Sequence, residues 1–395
     1  MKNIPIILMT KLNKYIDSCF SDELKLIVFL SQDDALNNFK INLKNICWDS
    51  FIQLIKKHRL VSHVLKNQKT IDVIPHEILN TIKTIHLEQI KKSLLFNREL
   101  LKIHKKLTEQ NIKHVFFKGS LLSYELYNDI GFRNYRDIDL LVQKESIEKS
   151  LSIIKELEYD LHEPKQELTK FQRKINYRIS HHYHLQNKYL KTDVELHWNL
   201  SNPKSFVSIP TNTVINNRKT LNIHSYVLPY ISMPENIVFL AAHGAIHQWY
   251  RLFWLKDFSV LISKTESKDL QKAFELSKKL KLNRCFLQAC ILSECLYNIK
   301  MPVFLKSELI GQKLLKIPLK SIATTELKQR NIFGKFKYVF YRLKLKPDFK
   351  YYFDLVYRLR THFSDWELLK LPNSFFFLYY PLRPFLMIFK ILKRN

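Results

Sequence analysis

The sequence predicts an α+β protein, a small mixed β-sheet core flanked by helical N- and C-terminal regions. Three observations lead there. Long stretches at both ends repeat apolar residues at helical spacing. A central stretch switches to short apolar or alternating runs bounded by turn residues. The 395 residues are 46% hydrophobic and 25% charged, which marks a folded chain of two or three domains rather than a disordered one. The expected division is a helical region over 1–110, an α/β core over 111–232 and a helical, basic and aromatic region over 233–395.

The elements follow in chain order. Trp48–Leu65 carries apolar Phe51, Leu54, Ile55 and Val61 with Lys56, Lys57 and Arg59 between them, a helical face. Ile82–Leu107 is similar and holds neither Gly nor Pro. Val115–Phe117 reads as a buried strand, and Leu121–Tyr127 as a helix entered through Lys118-Gly119-Ser120. After the polar loop Asn128–Tyr135, Asp137–Val142 reads as a second strand and Ser146–Leu157 as a helix capped by Ser146. His181–Gln186 and Thr192–Trp198 read as strands joined by the turn Asn187–Lys191. Residues 235–262 are helical and carry His243, His247, Arg251 and Asp257.

Composition excludes several classes. The five glycines, at 119, 131, 244, 311 and 334, never lie closer than twelve positions apart. Dinucleotide fingerprints, phosphate loops of the Walker type, kinase Gly-rich loops and nucleophile elbows all need closer glycines. The five cysteines, Cys19, Cys47, Cys285, Cys290 and Cys295, form neither a zinc spacing nor an even disulfide set, and read as reduced, mostly core thiols of a cytoplasmic protein. The apolar stretch Ile4–Met9 is too short for an export signal, and no apolar run reaches membrane-spanning length. The net charge of +28 invites polyanions, although the Lys-, Asn- and Ile-rich usage also fits an AT-rich coding sequence. Residues 330–395 carry 14 Lys/Arg against 4 Asp/Glu. They read either as a helix pair with a solvated basic face or as a peripheral surface that seeks acidic partners.

The chemistry concentrates at Phe116–Val142. Asp137 and Asp139 flank Ile138 on a strand, so alternation puts both carboxylates on one face. Such a pair holds hard cations through oxygen; two solvated acids on an exposed strand would be the structural alternative. The preceding turn offers Gly119 for close backbone approach, Ser120 as a cap or hydroxyl, Lys118 as a point charge and a helix N-terminus for phosphate. On Thr192–Trp198, residues Asp193, Glu195 and His197 share a face. Glu195 is the choice for a third carboxylate, as metal ligand or as base, with Asp193 in reserve. His197 binds substrate or fills a polar edge.

These residues, in this order, resemble the polymerase-beta-type nucleotidyltransferase superfamily, and more narrowly its uncharacterised bacterial nucleotidyltransferases. The matching pieces are F-K-G-S-L-L, Y-N-D-I-G-F-R-N-Y-R-D-I-D-L-L-V, V-E-L-H-W and A-A-H-G-A-I-H-Q-W-Y-R-L-F-W-L-K-D-F, with W-D-S-F-I-Q-L-I-K-K-H-R-L and Y-Y-P-L-R-P fitting less specifically. The resemblance implies a Mg²⁺-dependent enzyme that moves a nucleoside monophosphate from an NTP to an acceptor, a small molecule, a protein or an RNA end. It implies Gly119 and Ser120 on the triphosphate, Asp137, Asp139 and Glu195 as the metal-binding acids, and Lys118, Arg133 and Arg136 as basic residues for phosphate or acceptor charge. Ser120 and Asp137 stand 17 positions apart, a longer gap than in the best-known superfamily members. The competing readings are a binding protein of the same fold without turnover, a glycosyltransferase using Asp-x-Asp, and a charge-driven nucleic-acid binder. The i, i+4 pair His243/His247 reads as a pocket-lining or core face more readily than as a zinc site, because no acid intervenes.

Overall fold

A computed structural model describes residues 6–32, 40–67, 69–305, 310–324 and 332–392. Ile4, which begins the N-terminal apolar stretch, and Arg330, Lys393 and Arg394 of the basic tail lie outside the described residues.

The protein is α+β, with one seven-stranded mixed sheet among many helices. In chain order the strands are β1 (His114–Phe116), β2 (Asp137–Val142), β3 (Tyr159–Glu163), β4 (His182–Asn187), β5 (Asp193–His197), β6 (Lys219–Ile223) and β7 (Tyr226–Tyr230). Their order across the sheet is β3-β4-β5-β2-β1-β7-β6. The central pair β2/β5 is parallel, as is β1/β7, and the other four pairings are antiparallel. β1, β2, β4 and β5 lie where the sequence pattern puts them. β3, β6 and β7 do not announce themselves, because β3 and β6 are edge strands whose residues are largely exposed and β7 contains Pro229, a residue that argues against a strand in the sequence.

The chain forms two compact units. One comprises residues 1–95, 122–135 and 233–346; the other comprises 96–121, 136–232 and 347–395. Long helices and returning chain ends let distant segments share a core, which a reading along the chain does not see.

The first unit is helical. Its helix Asn283–Tyr297 is buried nearly all round, Cys285, Cys290 and Cys295 included, so burial pushes the Cys285 thiol up to about 12. Cys47, by contrast, is exposed. Two stretches expected to be continuous helices are broken. Arg59 adopts a left-handed conformation (φ 56°) between Trp48–His58 and Val61–Lys66. Gln248 and Trp249 (φ 56° and 51°) separate Met233–Ile246 from Leu252–Lys264.

The second unit is the sheet with its helices. Ile138, Leu140, Tyr183, Leu185, Val194 and Leu196 are buried on one sheet face. A smaller cluster joins Leu168 and Ile179 to Trp366, Phe376 and Tyr379 of the C-terminal segment. Among the described residues no helix is long and apolar enough to cross a membrane.

Candidate active site

Register makes the site. β2 and β5 run parallel with Asp137 opposite Asp193 and Asp139 opposite Glu195. β4 lies antiparallel on the other side of β5, with His182 opposite His197, His184 opposite Glu195 and Gln186 opposite Asp193. Paired residues share a sheet face. One face of three adjacent strands therefore carries two acids from β2, two acids and a histidine from β5, and two histidines and a glutamine from β4.

The acids on this face are not equivalent. Asp193 is engaged, with Oδ1 accepting from Gln186 Nε2 (3.1 Å) and lying 2.9 Å from His184 Nε2. That bond raises the His184 imidazole above its ordinary value, against burial. Asp139 is 2% exposed. Lys118 Nζ stands 2.8 Å and His197 Nε2 3.4 Å from its Oδ1, yet neither oxygen completes a hydrogen bond of normal direction. Charge meets this carboxylate; hydrogen bonding does not saturate it. Glu195 Oε2 lies 3.0 Å from His197 Nε2, and Glu195 Oε1 3.9 Å from His182 Nε2. One ligand atom each from Asp139, Glu195 and His197 falls within 4.8 Å of the others. Asp137 stands two residues before Asp139 at the strand's start and is half-buried.

The charges support one another. Burial alone would raise the Glu195 carboxyl, but the bond to His197 and the charges of His182, His197 and Lys118 hold it well below the usual carboxylate range. Burial would lower Lys118 and His197; the acids beside them raise both.

β1 delivers the chain to this face. Phe117 N donates to Asp139 O (3.3 Å). Lys118 and Gly119 are then both left-handed (φ 60° and 51°), which turns the strand directly into the helix Gly119–Tyr127. At Gly119 the backbone conformation is the constraint, since an added Cβ would meet nothing nearer than Asp137 O at 3.7 Å. Ser120 lies inside the first turn and is not the cap. Its Oγ is buried and without a partner. Ser146 does occupy the N-cap position of Ile147–Glu156 but makes no capping bond.

The long interval from Ser120 to Asp137 is filled by that helix and a pinned loop. Ser123 Oγ donates to Asp129 O (2.6 Å) and accepts from Arg133 N (3.0 Å). Arg133 is 4% exposed, and its Nε donates to Asp257 Oδ2 (2.8 Å). Arg136 is exposed and enters β2 directly before Asp137. So Lys118, Asp139 and Glu195 are brought together, with Gly119 against the Asp137 backbone and Ser120 next in the chain, whereas Arg133 is held by an acid of the first unit. In that unit His243 and His247 pack edge-on or tilted against each other and Trp254, with centroids 4.7, 5.2 and 5.3 Å apart, and His247 is exposed.

Sequence reasoning left out His182 and His184, and it put His197 on the face of Asp193 and Glu195 as a substrate-binding or polar-edge residue without pairing it with Asp139 or Glu195. The signal was present: H-Y-H-L-Q on β4 alternates polar and apolar as D-V-E-L-H does on β5.

Residues 44–298 match the family described as uncharacterised nucleotidyltransferase. Among solved structures, the chain is similar to an antigenic nucleotidyltransferase-like protein from Paracoccidioides brasiliensis at 17% identity, over 55% of this chain and 96% of that one, with a TM-score of 0.30, a likeness too loose to weigh. No curated protein matches. The match spans well over half the chain and includes β1, the Gly119–Ser120 turn and the acids of β2 and β5, and by it this chain belongs to the uncharacterised nucleotidyltransferase family.

Proposed function

We propose that the protein transfers a nucleoside monophosphate from an NTP to an acceptor oxygen. The acceptor oxygen bonds to the α-phosphorus, the bond to the β-phosphate breaks, pyrophosphate leaves and the acceptor's proton passes to a base. The observation that carries this reading is the buried Asp139 carboxylate, set opposite Glu195 by the parallel β2/β5 register and lying within 4.8 Å of ligand atoms of Glu195 and His197.

The donor set fits Mg²⁺, a hard cation that prefers carboxylate oxygen. Asp137, Asp139 and Glu195 would hold it, and when bound it would offset the charge of the triphosphate and of departing pyrophosphate. The first-turn amides at Gly119 and the Ser120 hydroxyl suit phosphate oxygens. Lys118 adds a positive charge at their side, and exposed Arg136 suits a terminal phosphate or an anionic acceptor. Catalysis is then mainly positioning and charge neutralisation. Glu195, kept ionised by its histidines, takes the role of third ligand or of base. A triphosphate donor fits a cytoplasmic protein.

Thermal unfolding with each of the four NTPs and Mg²⁺ tests this. One NTP at about 100 times its Kd should add roughly 2.7 kcal/mol of stability to the wild type, and Asp137→Asn/Asp139→Asn should lose that increment. Pyrophosphate release with a found acceptor completes the case. Binding without release makes this a non-catalytic nucleotide binder, and no response to any NTP overturns the reading.

A further inference from the structure

Three imidazoles converge where β4 begins and β5 ends. His181 immediately precedes β4, His182 opens it, and His182 pairs across the sheet with His197. The ring centroids are 4.2 Å (His181–His182), 4.9 Å (His182–His197) and 5.3 Å (His181–His197) apart. One ligand nitrogen from each falls within 4.8 Å of the other two. The His181 backbone is fixed, its carbonyl accepting from Trp198 N at 2.9 Å.

Hydrogen bonding inside the trio is incomplete. His181 Nε2 and His182 Nδ1 are 3.0 Å apart. His181 Nδ1 and His197 Nδ1 are buried without a partner, and a buried polar nitrogen left unmade costs free energy. His197 is 2% exposed, so bulk water does not serve it. Three imidazoles at one point, with ring nitrogens to spare, are the donor set of a borderline-soft ion.

We infer that His181, His182 and His197 form a transition-metal site for Zn²⁺ or an ion of like ligand preference. Zn²⁺ binds imidazole nitrogen at about 2.0–2.1 Å, and one nitrogen of each ring already lies within 4.8 Å of the other two. Glu195, whose Oε1 is 3.9 Å from His182 Nε2, is the nearest carboxylate for a fourth position. The site shares His197 with the Asp139–Glu195 cluster, so an ion there would add positive charge at the edge of the acidic face. The inference stands on the trio's geometry and does not need nucleotidyl transfer.

The test uses the full chain, stripped with EDTA and dialysed. Zn²⁺ is titrated against a chromophoric chelator, and Co²⁺ is followed by its visible absorption. About one Zn²⁺ per chain is expected, with the strong absorption of four-coordinate Co²⁺ on nitrogen ligands. His181→Gln and His182→Gln should each weaken Zn²⁺ by at least roughly tenfold, and His184→Gln, one alternation along β4, should not. Asp137→Asn should keep Zn²⁺ while losing the Mg²⁺–NTP response, which separates failure of this site from failure of the nucleotidyltransferase reading. No stoichiometric Zn²⁺ uptake overturns the inference. So does uptake that both histidine variants leave unchanged. If those variants do not fold, a wild-type Co²⁺ spectrum of octahedral, oxygen-ligated form does the same.

Discussion

Arg133 shows how a single basic residue divides two readings. Its guanidinium and the Asp257 carboxylate are 4% and 1% exposed, and Tyr127 OH donates to Asp257 Oδ1 at 3.0 Å. Burial raises the Asp257 carboxyl despite the opposing pull of Arg133. Such a pair stabilises little over an apolar substitute, but removing one partner strands the other. Arg133→Ala should therefore lose about 3–5 kcal/mol in urea denaturation. A variant of near wild-type stability that no longer responds to NTP would return Arg133 to phosphate binding. Ser120 is the contrasting case: its buried hydroxyl has no partner to strand, so its loss should register on ligand rather than on the fold.

Among the elements, the turn between helices Met233–Ile246 and Leu252–Lys264 depends on one glycine. Trp249 N donates to Gly244 O (2.8 Å), the Trp249 ring is buried over that helix, and its Nε1 donates to Gln288 Oε1 (2.9 Å). A Cβ on Gly244 would lie 2.1 Å from Trp249 Cζ3. Gly244→Ala should cost about 1–3 kcal/mol, the range of overpacking, read as a lower urea midpoint and altered Trp fluorescence. The sheet is as exacting. The parallel β2/β5 register sets Asp139 beside Glu195, and a slip of one residue would exchange those acids for buried Ile138 or Val194.

For the whole molecule, buried neutral histidines make stability depend on pH. Burial lowers His114 to about 4, and lowers His58 and His63 well below their ordinary value, aided by Lys57 and Arg251 for the first and Lys256 and Arg133 for the second. A folded pKa below the unfolded one contributes stability that is fully present above the unfolded value of 6.5 and is lost as pH falls toward the folded value. His114 alone accounts for about 3 kcal/mol over that span. His114→Gln should accordingly reduce the loss between about pH 7.5 and 5 by about 2 kcal/mol, measured by urea unfolding of both proteins at each pH. An unchanged difference would mean that His114 titrates as it does in the unfolded chain.

Local pattern sufficed for the α+β class, for β1, β2, β4 and β5, and for the Gly-Ser turn before Asp-x-Asp, because strand alternation and turn chemistry are written into neighbouring residues. It also placed Asp137 with Asp139, and Asp193 with Glu195 and His197, on common faces. It had no means of pairing those faces. That β2 lies beside β5 in the register joining Asp139 to Glu195, and that β4 adds His182 to the same face, comes from strand order, which long-range packing sets. The same holds for Arg133, whose partner Asp257 stands 124 positions away. It holds too for the two compact units, assembled from segments that the chain separates. Burial of a charge or a ring nitrogen is a property of everything packed around it, and only the folded chain decides it.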